Sequence, residues 1–177
     1  MHEDVLETAS GWLPAADLSE VRDRVPIVYV DAVPVMLDHL GHVRKVGLLL
    51  RAMPDGTISR AIVSGRVQFG ETIRDALWRH VTKDLGPDCD PILPASPVPF
   101  TVAEYFPDAS RTGYHDPRQH AVSLAYLVPV TGEAAAQQDA LDLSWVTPAE
   151  ALSPSVASEM GGGHDKLVRL ALSHAGI

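Results

Sequence analysis

Hydrophobic and polar positions along this chain follow two periods in turn. "VPIVYVDAVPVML" (25–37), "KVGLLLRAM" (45–53) and "TISRAIVSGRV" (57–67) are rich in β-branched residues and predict three strands. Pro34 marks the first as an edge strand or a bulge, and "PDG" (54–56) is a turn. The period then lengthens to that of a helix over 71–85, which stops at Gly86-Pro87. Strand patterns resume at "VPFTVAEYF" (98–106) and "HAVSLAYLVPV" (120–130), with the polar loop "PDASRTGYHDPRQ" (107–119) between them. "LDLSWVTPAEAL" (141–152) predicts a strand running into a turn and a helix start. "HDKLVRLALSHAG" (164–176) closes the chain as a helix, and residues 1–24 form an extension with a short helix behind Pro14. Mixed strands with a central and a terminal helix predict one α+β (α/β) layered domain over 1–177, not a doubly wound parallel sheet.

The central helix poses a question. At 100° per residue Ile73, Ala76, Leu77 and Val81 share one face, and His80 and Asp84 fall inside that arc, one turn apart. A carboxylate and an imidazole on an apolar face each need a partner. One solution is a His80–Asp84 hydrogen-bonded pair. The other is an Asp84 aimed into a pocket that holds a hard divalent cation such as Mg²⁺.

Composition narrows the function classes. A formal net charge of −9 disfavours broad contact with nucleic acid or anionic membranes. It leaves room for a small phosphate-containing ligand held by a few placed arginines. The basic residues are 11 Arg and 3 Lys, a bias that reflects genome composition and carries no functional reading. One cysteine, Cys89, excludes an internal disulfide framework and a cysteine-rich zinc site. No run of apolar residues is long enough for a membrane span, and the acidic "MHEDVLETASGW" lacks the pattern of a secretory signal, so a cytoplasmic location is expected.

The stretch "SGRVQFGETIRDALWRHVTKDLGPD" (64–88) resembles the Nudix box, whose usual form is Gly, five residues, Glu, seven residues, then Arg-Glu-aliphatic-x-Glu-Glu-x-Gly. Gly65, Glu71, Arg79, Val81 and Gly86 stand at matching positions, while His80, Lys83 and Asp84 replace the three later carboxylates. GDP-mannose mannosyl hydrolases carry a similarly reduced box that keeps only the last of those carboxylates. The likeness extends through "WLPAADLSEVRDRVPIVYVDAVPV", Arg51, "YFPD…G…HAVSL" and "W…TPAEAL". It implies a Nudix fold: a mixed β-sheet core sandwiched by helices, with a loop-helix-loop box at 64–87.

The resemblance also implies roles. Mg²⁺ or Mn²⁺ would be held by the carbonyl of Gly65, by Asp84 and by Asp139, with Asp142 and Gln138 as alternatives to the last. Arg51 and Arg66 would assist a leaving nucleoside diphosphate, and Asp31 would lie near the substrate. Glu71 and Arg79 would form a structural pair in the box. The family's general base corresponds to Ala140, and two substrate-contacting positions correspond to Ala121 and Tyr105, so His80, His120 or Glu104 becomes the candidate base. His115 and His120 lack further ligands for a zinc site, and "GGGH" (161–164) lacks the order of a phosphate-binding glycine loop and reads as a flexible turn. The expectation is a metal-dependent hydrolase of a nucleoside diphosphate derivative, plausibly a nucleotide sugar. The alternative is a Nudix-fold protein that binds such a ligand without hydrolysing it. The resembled branch implies a homodimer.

Overall fold

A computed structural model describes residues 11–138 and 140–177. Its strands are β1 (Ile27–Leu37), β2 (Val43–Ala52), β3 (Ile58–Ala61), β4 (Val63–Arg66), β5 (Cys89–Pro91), β6 (Thr101–Tyr105), β7 (Ala121–Gly132) and β8 (Asp142–Val146). Its helices are α1 (Ala15–Arg24), α2 (Ile73–Leu85), α3 (Pro148–Ala151), α4 (Pro154–Ala157) and α5 (His164–His174). β1 and β7 run parallel and every other pair is antiparallel. The architecture is thus mixed α+β with helices on both faces of the sheet.

The segment expected as one strand at 57–67 is two. β3 pairs β2, whereas β4 pairs β1 at Tyr29–Ala32, with Ile62 between them. Pro34 is not on an edge, because β1 is the central strand. It falls between the stretch of β1 that pairs β4 (29–32) and the stretch that pairs β2 (35–37), where that flank of the strand changes partners. A residue without an N–H is tolerated at such a lapse in the ladder. β5 is a short strand with no pattern of its own in the sequence. It is defined by its pairing with β7.

Alternation on β1 sorts the core into two layers. Val30 and Ala32 pack toward α2, with Ala76, Leu77, Val81 and Leu85. Val33 and Val35 pack toward α5, with Leu167, Val168, Ala171 and Leu172. Both helices bury a stripe at i, i+3, i+4 spacing, which is what fixes their faces. Thr72 caps α2 by accepting the Asp75 N–H at 3.1 Å, and Gly86 ends it with φ +99°. No helix among the described residues is long and apolar enough to cross a membrane.

The sheet forks. β2 pairs β1 only over 43–46 and then continues with β8 (46–50) and β3 (49–52). β4 takes the vacated flank of β1. Between the diverging strands lies the space in which the polar residues collect.

Candidate functional site

Two cavities adjoin at the fork, both lined by Arg51 from the end of β2 and Ser64 from β4. The larger, about 530 Å³, is walled by residues 59–65, the loop 115–118 and the turn 161–164. Three guanidinium groups border it, those of Arg51, Arg60 and Arg118, on a chain whose net charge is −9. Arg60 pairs with Glu159, which leaves its Nη1 buried without a hydrogen-bond partner among the described residues. Arg118 is bound on both arms by Asp116 at 3.0 Å, and that carboxylate raises the guanidinium further above its ordinary range. The cavity is therefore an anion-accepting space by its donors, not by the global charge.

The smaller cavity, about 350 Å³, is lined by Arg51, Ser64, Lys83, Asp84 and Gln138. Asp84 is 6% exposed and borders it from the last turn of α2. The loop after β7 is tied to the same turn: the N–H of Ala135 donates to Leu85 O at 2.9 Å and that of Gln137 to Asp84 O at 3.1 Å. That anchoring places Gln138 beside Asp84. Gln138 has φ +58°, the one non-glycine among the described residues in the left-handed region, a strain that such a wall must hold. Asp142, the other alternative, is exposed at the start of β8 and does not line either cavity. Asp139 lies outside the described residues.

His80 does not pair with Asp84. Its Nε2–H donates to the carbonyl of Arg66 at 2.9 Å, and its ring lies against Gly65, where an added Cβ would come within 2.0 Å of Cε1. Burial pushes its pKa down and favours the neutral ring. The same carbonyl accepts from Arg79 Nη2 at 3.0 Å, and Arg79 clasps Glu71 through both arms, at 2.6 and 2.8 Å. Glu71 also accepts the Gln68 N–H at 3.0 Å. Burial alone would raise the Glu71 carboxyl, but these donors outweigh it and hold the pKa below the ordinary value. His80, Glu71 and Arg79 thus form one lock that seats the β4 turn on the helix.

The other candidates are dispersed. Arg66 lines neither cavity, and its guanidinium lies over the Trp12 ring, 5.6 Å from the centroid. His120 stacks on Phe106 with ring centroids 4.3 Å apart, and Glu104 is exposed. Neither of them borders either of these two cavities. Asp31 is 0% exposed. It shares the α5 face of β1 with Val33 and accepts from Tyr105 Oη (3.0 Å) and Ser123 Oγ (2.7 Å) on one oxygen. Its Oδ1 is buried with no hydrogen-bond partner among the described residues. Burial, then the Asp31 charge, pushes the Tyr105 phenol far up.

Of the residues that line the larger cavity, sequence reasoning missed Arg60 and Arg118, and it set aside His115 as half of a zinc pair and His164 as part of a turn. The two arginines sit in a β-strand and a polar loop with no motif around them. His164 had a usable signal, three glycines delivering a histidine to the first turn of an apolar-striped helix.

The family described as a domain of unknown function (DUF4916) matches residues 8–177. No curated protein matches. Among solved structures, one from Jonesia denitrificans, described as a possible asymmetric diadenosine tetraphosphate (Ap4A) hydrolase, is 57% identical. The match covers 86% of this chain and 96% of that one, with a TM-score of 0.84. The NUDIX domain of Shewanella oneidensis NrtR, complexed with ADP ribose, is 18% identical over 92% of this chain and 99% of that one, TM-score 0.56. A bifunctional NMN adenylyltransferase/ADP ribose pyrophosphatase from Francisella tularensis, complexed with AMP and a Mn ion, is 18% identical. There the match covers 91% of this chain and 47% of that one, TM-score 0.58. The likeness to the latter two is one of fold, and the fold is the Nudix fold.

Proposed function

The chain belongs to the family described as a domain of unknown function, DUF4916, and on that footing we propose that it is a divalent-metal-dependent hydrolase of a nucleoside polyphosphate derivative. The observation that carries this is the junction of the two cavities: a buried carboxylate, Asp84, borders one, and arginines border the other, with Arg51 common to both. Phosphate oxygens bind guanidinium in pairs, so Arg51, Arg60 and Arg118 would seat the anionic chain of the substrate. Arg51 would hold the charge that develops on the departing phosphate.

For Mg²⁺ or Mn²⁺ the oxygen donors fit. The Asp84 carboxylate, the Gln138 amide and Ser64 border the smaller cavity, and hard cations take carboxylate and carbonyl oxygen. Asp84 would bind the ion with the Gly65 carbonyl and with Asp139 or Gln138. When bound, the ion would neutralise the polyphosphate and polarise the bond that breaks. Lys83, on the same wall, would balance charge on the substrate side.

The Jonesia relative supports a dinucleoside polyphosphate as substrate. The reduced box supports a nucleotide sugar, of which GDP-mannose is one. A homodimer belongs to this reading too, and sedimentation of the purified protein tests it. The decisive assay offers diadenosine tetraphosphate, ADP-ribose and nucleotide sugars to the protein with and without Mg²⁺ or Mn²⁺, and separates the products. Metal-dependent cleavage of any of them is expected. Nucleotide binding without turnover would overturn the enzyme in favour of a ligand-binding Nudix protein.

A further inference from the structure

Hydrolysis needs a group that takes a proton from water near neutral pH, and few described residues bordering the cavities can do so. Asp116 is engaged by Arg118 and by Gln119 (2.8 Å), and His115 is exposed on the outer loop. His164 differs in how it is held. Gly163, at φ +96°, lies where a Cβ would come within 2.6 Å of Tyr114 Cδ1. Gly162, at φ +68°, lies where one would come within 3.1 Å of the His115 carbonyl. Only glycine lets the backbone pass there. The passage is then fastened: the His115 N–H donates to Gly162 O at 3.1 Å, and Lys166 Nζ donates to Gly113 O at 2.9 Å. "GGGH" is therefore a fixed wall of the cavity, not the flexible turn its composition suggests.

This wall presents His164, the first residue of α5, to the larger cavity beside Arg51 and Tyr105. Behind Tyr105 lies Asp31, buried on the face of β1 that α5 covers.

Building on the hydrolase reading above, we propose that His164 is the residue that accepts the proton of the attacking water, with Asp31 as the buried carboxylate that stabilises the imidazolium. Water forms a bond from its oxygen to a phosphorus of the substrate while one of its protons passes to His164. The P–O bond to the leaving phosphate breaks, and that oxygen keeps the bonding pair, its charge held by Arg51. His164 then releases the proton to solvent. Such a role requires a neutral ring at rest, and burial favours the neutral form. Asp31 from β1 and Asp165 on the same helix favour protonation, and Arg51 from β2 opposes it. Tyr105 borders the same space, and burial pushes its phenol far up, so it stays uncharged there.

The test uses His164→Gln and His164→Asn on the substrate that the panel identifies, with His174→Gln at the far end of α5 as control. Both His164 variants should lose about 10²- to 10⁴-fold in kcat, the scale of a positioned base. Calorimetric affinity for inorganic diphosphate should stay within roughly threefold, and the acid limb of the wild-type kcat–pH profile should vanish. In the wild-type protein, diphosphate should move the NMR resonances of the His164 ring. A kcat within roughly threefold of wild type in either folded variant overturns the proposal and leaves the hydrolase reading standing. Diphosphate binding lost in parallel with kcat, or an unmoved His164 ring, also overturns it. No turnover by the wild-type protein overturns both readings.

Discussion

The two ends of α2 do different work. The turn before it and its second turn carry Glu71 and Arg79, which match the Nudix box, and His80, which departs from it; all three are consumed internally, Glu71 by Arg79, and Arg79 and His80 by one backbone carbonyl. Its last turn carries two further departures from the box, Lys83 and Asp84, and these face a cavity. The matching ion pair is therefore spent on seating the helix, and the groups that face the cavity stand at the other end. A changed letter at the first end costs stability, whereas one at the second changes what the cavity can hold.

The largest effect separating the two ends is expected from Asp84→Asn. It removes a negative charge from the proposed ion site while keeping shape, and should lower kcat by 10³-fold or more, about 4 kcal/mol of barrier. The thermal midpoint should move little, because an uncharged amide is easier to bury than a carboxylate. Activity close to wild type in this variant would place the ion elsewhere and erase the contrast.

Next comes Gly65→Ala, which probes the seated end. The added methyl would meet the His80 ring at 2.0 Å, and that ring cannot withdraw without giving up the Arg66 carbonyl. Overpacking against a fixed side chain costs about 3 kcal/mol, read from the urea midpoint. A midpoint equal to wild type would mean that the ring is not wedged.

How far the sequence foretold this arrangement follows from where each force acts. The stripe on α2 follows from periodicity, so helix bounds, the burial of His80 and Asp84, and the layered fold could be read directly. Tertiary choices could not. That β4 replaces β2 along Tyr29–Ala32 depends on which flank is free, and this splits an apparently continuous strand at Ile62. Asp31 reads as exposed or buried according to which helix covers its face, and only the packing of α5 decides that. His164 was hidden because its place depends on Tyr114 and on the loop at 113–116, roughly fifty residues earlier in sequence. Arg66, by contrast, carried a resemblance and yet lies against Trp12, away from both cavities.

Glu71→Gln should have an intermediate effect, about 2 kcal/mol, because it leaves a half-buried guanidinium without its paired charge. The pH dependence has a definite sign. A carboxyl held below its ordinary value of 4.5 contributes stability above that pH, and the contribution is lost as pH falls through the folded-state value. Wild type should thus lose stability below about pH 4.5 more steeply than the variant, in urea titrations run across that range.

The smallest effect is expected from His80→Asn. The shorter amide withdraws the Nε2 donor, but Arg79 still donates to the Arg66 carbonyl, so the loss should be about 1 kcal/mol. Its value lies in the pH range. A histidine whose folded pKa is pushed below 6.5 by burial binds its proton more readily once unfolded. Its stabilising share is complete above pH 6.5 and drains away as pH falls toward the folded value. In the Asn variant that slope between pH 6.5 and the Glu71 range should flatten, while kcat near neutral pH stays within about threefold. A loss of kcat as large as that of Asp84→Asn, with the fold retained, would move the seated end of the helix into the chemistry and make His80, not His164, the residue to follow.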